Sequence, residues 1–452
     1  MIRFTHTPPS SHQTMNNQSP ITVPRRRPWP GLFASSSSSK ALGTWLGEDA
    51  NCMEHLLVHC ANAIESNDAT LAQQILWVLN NIATPDGDSN QRLASAFLRA
   101  LVTRAANIGS CKILAAISTA ATPSSLTTHS FSLMDLAAFV DLTPWHRFGF
   151  TTANAAILDA IEGYSALHVV DFSLMHCMQI PTLIDAIATR FEFPPLLKLT
   201  TVVVAAVKHA PPMLELSYEE LGAKLVNFAR SKNVSMEFRF VESCYTHGFS
   251  NLIQEIRVQN LIYGPESKEA LILNCHMMLH YIPEETLNPN PSPNFDMSSS
   301  TRSMFLKEIR SLEPAIVILV DEEADFTASK MVSRLRSAFN YLWIPYDSMD
   351  SILPRNSKQR EWYEAGICRK IENVIAEEGI ERVERLEPKT RWVQRMVNSK
   401  FRGVGFGDDA VSEVKTMLDE HAAGWGLKKE DDHLLLTWKG HDVLFATAWV
   451  PC

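Results

Sequence analysis

A carboxylate closes the apolar run Leu167-His168-Val169-Val170-Asp171. An acid at the carboxyl end of a buried parallel strand is well placed to hold a cofactor ribose, and the turn after it must bring backbone close to a pyrophosphate or adenosine. That approach needs glycine, as in G-x-G-x-x-G. Here the turn is Phe172-Ser173-Leu174-Met175-His176-Cys177, without glycine, and its side chains would fill the space a cofactor requires. The expectation is the framework of a nucleotide- or methyl-donor-binding enzyme with its binding loop closed, and no cofactor is assigned. Asp171 is expected to hydrogen-bond a helix start rather than a ribose. Asp321 ends a second apolar run in the same way.

Other chemistry is thinner. His276 and His280, like His55 and His59, stand four apart. That spacing can bind zinc from one helical face. The H-E-x-x-H form needs a glutamate. His276-Met277-Met278-Leu279-His280 lacks it, so packed or solvated imidazoles are the preferred reading and no metal is assigned. Neither G-x-S-x-G nor G-x-x-x-x-G-K-[ST] occurs. Eight cysteines are scattered without a C-x-x-C pair. That reads as free thiols rather than a disulfide framework or zinc cluster. Residues 382–402 hold seven Lys or Arg against Glu384 and Glu387, with Trp392 among them. Such a stretch could lie along phosphates, with Arg391, Arg395 and Arg402 as candidate DNA contacts, although a salt-bridged core set is preferred. Trp425, Trp438 and Trp449 read as core rather than as base-stacking platforms.

These groups need elements to hold them. Residues 1–45 carry Pro8-Pro9-Ser10-Ser11, Arg25-Arg26-Arg27 and the run Ser35 to Ser39. They are expected to be a disordered Ser/Pro-rich tail. Met53, Leu56, Leu57, Cys60, Ala61 and Ile64 predict a helix, as do Ile75, Leu76, Leu79, Ile82 and then Leu93, Phe97, Leu98, Leu101. Helical patterns continue through 131–141 and 150–162. From Leu167 strands alternate with helices: strands over 167–172, 196–204, 236–240, 270–274 and 315–321, helices after 180 and over 218–230, 305–312, 323–343 and 358–378. Residues 283–300 read as a surface loop, and 434–450 as a hairpin. A parallel sheet closed by a carboxyl-terminal antiparallel hairpin is the plan of the class I methyltransferase fold, which says nothing of activity.

The totals narrow the class. The chain has 452 residues, 46% apolar and 20% charged, with net charge −9. That balance disfavours coating nucleic acid by bulk electrostatics. No apolar run reaches the roughly 18–20 residues of a membrane span, and the first residues lack a signal-peptide core.

Five blocks in order resemble the GRAS family of plant transcriptional regulators. Residues 53–113 are similar to its first leucine-rich region. His168-Val169-Val170-Asp171 with Gln179 and Pro181 resembles its VHIID motif within block 132–201, and 216–252 its second leucine-rich region. Arg382, Glu384 and Arg385 lie in a PFYRE-like block over 261–388. Trp425-Gly426, Trp438 and Ala448-Trp449 mark a SAW-like block over 389–452. Ile180 and Thr447 depart from the Trp and Ser frequent in the family. The resemblance implies an α/β fold: a class I methyltransferase-like (Rossmann-like) core over 166–452 beneath an amino-terminal α-helical cap over 46–165. It implies a nuclear regulator of plant development without catalytic activity, acting through protein–protein contacts. The implied partners are other GRAS or zinc-finger regulators, with DNA reached directly or through them, and a homo- or heterodimer is allowed. The rivals are an S-adenosylmethionine-dependent small-molecule methyltransferase and a direct sequence-specific DNA binder.

Overall fold

Apolar residues at helical spacing build α1 (Leu42–Glu65), α2 (Ala69–Ile82) and α3 (Ser89–Asn107). Asp68 caps α2 by accepting from the Leu71 N–H at 3.0 Å, and Asp88 accepts from Asn90 and Gln91 N–H at the head of α3. The computed structural model describes residues 42–107, 130–204, 213–263, 269–284 and 300–452. Most of the expected tail, residues 108–113 of the first leucine-rich region, and most of the loop expected over 283–300 lie outside them. Within them, 42–45 begin α1.

The chain continues through β1 (Ser130–Phe131), α4 (Leu133–Asp141), α5 (Pro144–Ala160), β2 (Ala166–Ser173), α6 (Ile180–Arg190), β3 (Leu196–Val204) and β4 (Met213–Leu214). Next come α7 (Tyr218–Ser231), β5 (Met236–Ser243), α8 (Ser250–Tyr263), β6 (Glu269–His276), α9 (Thr301–Arg310) and β7 (Ile316–Glu322). The last part holds α10 (Met331–Ile352), α11 (Lys358–Ala376), α12 (Lys389–Asn398), β8 (Phe401–Val404), α13 (Asp408–Asp419), β9 (Trp425–Glu430), β10 (His433–Trp438) and β11 (His441–Pro451).

The main sheet runs β5-β3-β2-β6-β7-β11-β10-β9, with β8 also on β11. The first five strands are parallel and β11, β10 and β9 antiparallel. Because β2 pairs with β3 on one side and β6 on the other, strand order reverses at β2. Its carboxyl end is therefore the topological switch point, the usual ligand crevice of such sheets. Successive residues of β2, β6 and β7 feed opposite faces. Val169, Ile272 and Ile318 join a large cluster with α5, α6, α10 and α13, while Val170, Leu273 and Val317 pack against α8, α9 and α12.

Several expectations need correction. The helix expected over 323–343 is a loop up to Lys330, because Asp325 Oδ1 takes the Thr327 N–H and hydroxyl and so turns the chain. The helix then runs from Met331 through Pro345 to Ile352. The carboxyl end is β9-β10-β11 plus β8 rather than a hairpin alone, and α12, α13 and β9 were not anticipated. The helical layer is not closed by residues 46–165 alone: α10 and α11 complete it. Arg92 of α3 pairs with Asp350 at 2.7 Å and Glu364 at 3.1 Å, and Phe97 meets Phe339 edge-on at 5.4 Å.

Candidate functional site

The tip of β2 is filled. Phe172 is fully buried, edge-on to Phe249 at 5.1 Å and Phe305 at 5.7 Å, while Met175 and Cys177 are buried in two other apolar clusters. His176 holds a φ of 48° and Cys177 a φ of 59°. This is the left-handed backbone that glycine adopts without strain. The turn thus keeps a glycine-like path while carrying full side chains. It is tied by Met178 N–H to Met175 O and Ile180 N–H to Cys177 O, each 3.0 Å, and His176 Nδ1 meets the Tyr218 hydroxyl at 3.0 Å.

Asp171 does not bond the helix start, correcting the sequence expectation. Its Oδ1 accepts from Asn274 Nδ2 at 2.8 Å, and among the described residues its Oδ2 has no partner. Burial raises its pKa to about 6, against the opposing Asn274 hydrogen bond. Asn274 also donates to Gln179 Oε1, Gln179 Nε2 to Asn154 Oδ1, and Asn154 Nδ2 to Thr182, each at 2.9 Å. This amide chain ties β2, β6, α5 and α6 together at the carboxyl end of β2. His168 is buried at the opposite end of β2, meeting Thr200 Oγ1 at 2.8 Å, and burial lowers its pKa to about 4. Val169 and Val170 are core, and Pro181 sits in the first turn of α6, where its missing N–H is harmless.

A second group gathers at the carboxyl ends of β6 and β7. His280 Nδ1 bonds Asp321 Oδ1 at 2.9 Å, and its Nε2 lies 3.6 Å from Glu384. Lys370 reaches Glu322 at 2.5 Å and Glu384 at 3.5 Å, and Tyr281 donates to Glu384 at 3.1 Å. Burial opposes charge here, yet Lys370 and His280 hold Glu384 down to about 2, and Asp321 with Glu384 lifts His280 to about 9. His276 ends a strand instead of sharing a helical face with His280; it faces His146 at 3.4 Å, and burial keeps both imidazoles neutral. His55 and His59 are exposed on α1. Among the described residues no group of three or more His, Cys, Asp or Glu is placed to hold a metal. Side chains of α4, α5, α10 and α11 roof these strand ends and leave a cavity of about 180 Å³ beside the closed tip, touching it at Leu174 and Met175.

The basic stretch is mostly internal. Arg395 is fully buried and grips Glu387 with two bonds, each 2.8 Å long. It is withdrawn as a DNA contact, because exposing it would strand a buried carboxylate. Arg302 also reaches Glu387, at 3.1 Å. Arg382 donates to Phe326 O at 2.9 Å, and Arg385 pairs with Glu284 at 2.8 Å. Arg391 is half-buried, bonded to Thr327 at 2.9 Å and 3.4 Å from Asp325, whereas Arg402 on β8 is exposed. Trp438 Nε1 donates to Asp347 at 2.8 Å and Trp449 Nε1 to Thr447 at 2.8 Å. Trp425 tilts on Trp438 at 4.8 Å, Gly426 lies so close to Thr437 Oγ1 that a Cβ would sit 2.9 Å from it, and Ala448 is buried.

Sequence reasoning missed Lys370, Glu322, His146 and Arg369. Polar residues directly after the apolar runs ending at Cys275 and Asp321, and Trp362, Gly366 and Arg369 at helical spacing, were the available signals. Among the described residues no helix is long and apolar enough to cross a membrane.

The GRAS domain family model matches residues 53–450. Scarecrow-like protein 32 of Arabidopsis thaliana is 59% identical over 407 residues, covering 89% of this chain and 94% of its own. Protein SHORT-ROOT of Arabidopsis thaliana is 30% identical over 455 residues, covering 98% of this chain and 79% of its own. The crystal structure of SCL7 from Oryza sativa superimposes with a TM-score of 0.67 at 24% identity, over 88% of this chain and 99% of that one, a likeness of fold. Motif order, sheet topology and these matches agree: the chain belongs to the GRAS domain family, whose members are transcription regulators of plants.

Proposed function

We propose that this protein is a nuclear transcriptional regulator that works as a protein-interaction module on a catalytically silent methyltransferase-like core. The filled tip of β2 carries the reading: Phe172, Met175 and Cys177 occupy the switch-point crevice, and Asp171 is spent on Asn274. Outer surfaces are left to act. In the helical region 46–165, α2 turns Leu71, Trp77 and Val78 outward, and Trp77 is 69% exposed. An exposed tryptophan is an aromatic anchor of the kind interfaces favour. Residues 166–452 are the scaffold, and the motif residues from His168 to Trp449 serve it as packing and hydrogen-bonding groups. Other GRAS or zinc-finger regulators supply most of the DNA specificity.

The test is capture of nuclear partners by the full chain and by its Leu71→Ala/Trp77→Ala variant, with S-adenosylmethionine calorimetry alongside. Partner loss in a variant with unchanged circular dichroism supports the reading. Micromolar S-adenosylmethionine binding would replace it with the methyltransferase. Binding of the purified chain to naked promoter DNA, lost on Arg391→Ala/Arg402→Ala, would replace it with direct DNA recognition.

A further inference from the structure

The cavity at the ends of β6 and β7 has walls and charges of a particular kind. Phe139 and Tyr363 stack obliquely at 5.0 Å, and Trp362 meets Phe131 edge-on at 5.2 Å, so its walls are aromatic. On its floor each carboxylate is already answered: Glu322 by Lys370, Glu384 by Lys370, His280 and Tyr281. Arg369 is different. It lines the same cavity half-buried. Among the described residues its one hydrogen bond is Nε to Ala365 O of its own helix, at 3.4 Å, and it has no ion pair. Burial lowers its pKa, against the opposing influence of Cys368. A partly desolvated guanidinium is a ready fork for a carboxylate. At the mouth stands Gly366, inside α11. Glycine is a poorer helix former than alanine at such a position. A Cβ there would meet nothing within 4 Å, so packing does not demand the glycine.

We propose that this cavity is a binding site for a small organic anion, one aromatic ring bearing a carboxylate, with the ring packed against the wall of Phe139, Trp362 and Tyr363 and the carboxylate on Arg369. The size agrees: an apolar cavity of about 150 Å³ accepts benzene, and this one measures about 180 Å³. The position agrees too, since sheets of this topology take ligands outside the carboxyl ends of their strands. The site meets the closed β2 tip only at Leu174 and Met175 and shares no residue with the exposed face of α2, so its test reads ligand binding and not partner capture.

The experiment is calorimetric titration of the full chain with phenylacetate, and with phenylacetamide as its neutral counterpart. Expected is a Kd on the order of 1 mM or tighter for phenylacetate, about tenfold weaker binding of the amide, a similar loss in Arg369→Gln, and no binding in Gly366→Phe, whose new ring fills the mouth. Gly366 has open space above it, so that variant keeps its fold, which circular dichroism checks. No heat with phenylacetate at about 10 mM, equal affinity for acid and amide, or undiminished binding in either variant overturns the proposal.

Discussion

Two ends of neighbouring strands solve the same problem in opposite ways. At the tip of β2 the space is packed: Phe172 is fully buried, and Asp171 has one amide donor and, among the described residues, an unpartnered oxygen. At the ends of β6 and β7, further along the same edge, charges are gathered and matched, and a cavity remains above them. The carboxylates record the difference. Burial pushes Asp171 up to about 6, whereas Lys370 and His280 overcome burial and draw Glu384 down to about 2. A filled strand tip and an open hollow thus stand side by side along one sheet edge.

The contrast breaks most visibly if the filled end is emptied. Phe172 is a fully buried ring held by two others. Phe172→Ala is expected to lower stability by about 3–5 kcal/mol, read as a fall in denaturant midpoint. A loss below about 1 kcal/mol would mean the tip is not packed as described. Glu384→Gln leaves Lys370 and His280 short of a counter-charge. The expected loss is about 3 kcal/mol at pH 7.

The pH dependences have opposite signs. Glu384 ionises more readily folded than unfolded, so its contribution is present above pH 4.5 and vanishes as pH falls towards 2. His280 is raised from 6.5 to about 9, so its share is complete below 6.5 and lost as pH rises through 9. Asp171 holds its proton longer folded than unfolded, so stability declines from pH 3.8 to about 6 and the penalty persists above. Asp171→Asn is therefore expected to gain about 3 kcal/mol at pH 7 and nothing below about pH 4. Thermal unfolding across this range checks all three; a destabilised Asp171→Asn at pH 7 would show that the carboxylate is answered after all.

How much of this was legible follows from what each residue depends on. Apolar periodicity marked β2, β3, β6 and β7 because both faces of those strands are buried, and the missing glycines announced a filled turn. The partner of Asp171 could not be read, since Asn274 reaches it only once β2 and β6 are paired. The basic stretch misled for a related reason: Arg395 and Glu387 stand eight apart in sequence, and only folding hides both. Helix α10 runs through Pro345 because tertiary packing outweighs the local preference to stop there. The cavity draws on α4, α5, α10 and α11, segments far apart in sequence, and no local pattern joins them.

Two glycines test the contrast most finely, one packed against a cavity-lining histidine and one lining the cavity itself. Gly149 of α5 lies against the His276 ring; a Cβ there would sit 2.3 Å from Cε1 and 2.5 Å from Nδ1. That ring is buried and held against His146 and Phe150, so moving it breaks both contacts. Gly149→Ala is expected to lose about 1–3 kcal/mol through overpacking. Gly366 meets open space instead. Gly366→Ala adds helix propensity there, so it is expected to gain about 0.5–1 kcal/mol. The same substitution in two helix interiors thus reads the packed wall and the open mouth with opposite signs. Equal effects would mean that the mouth is covered, and with it the distinction between the two strand ends would fail.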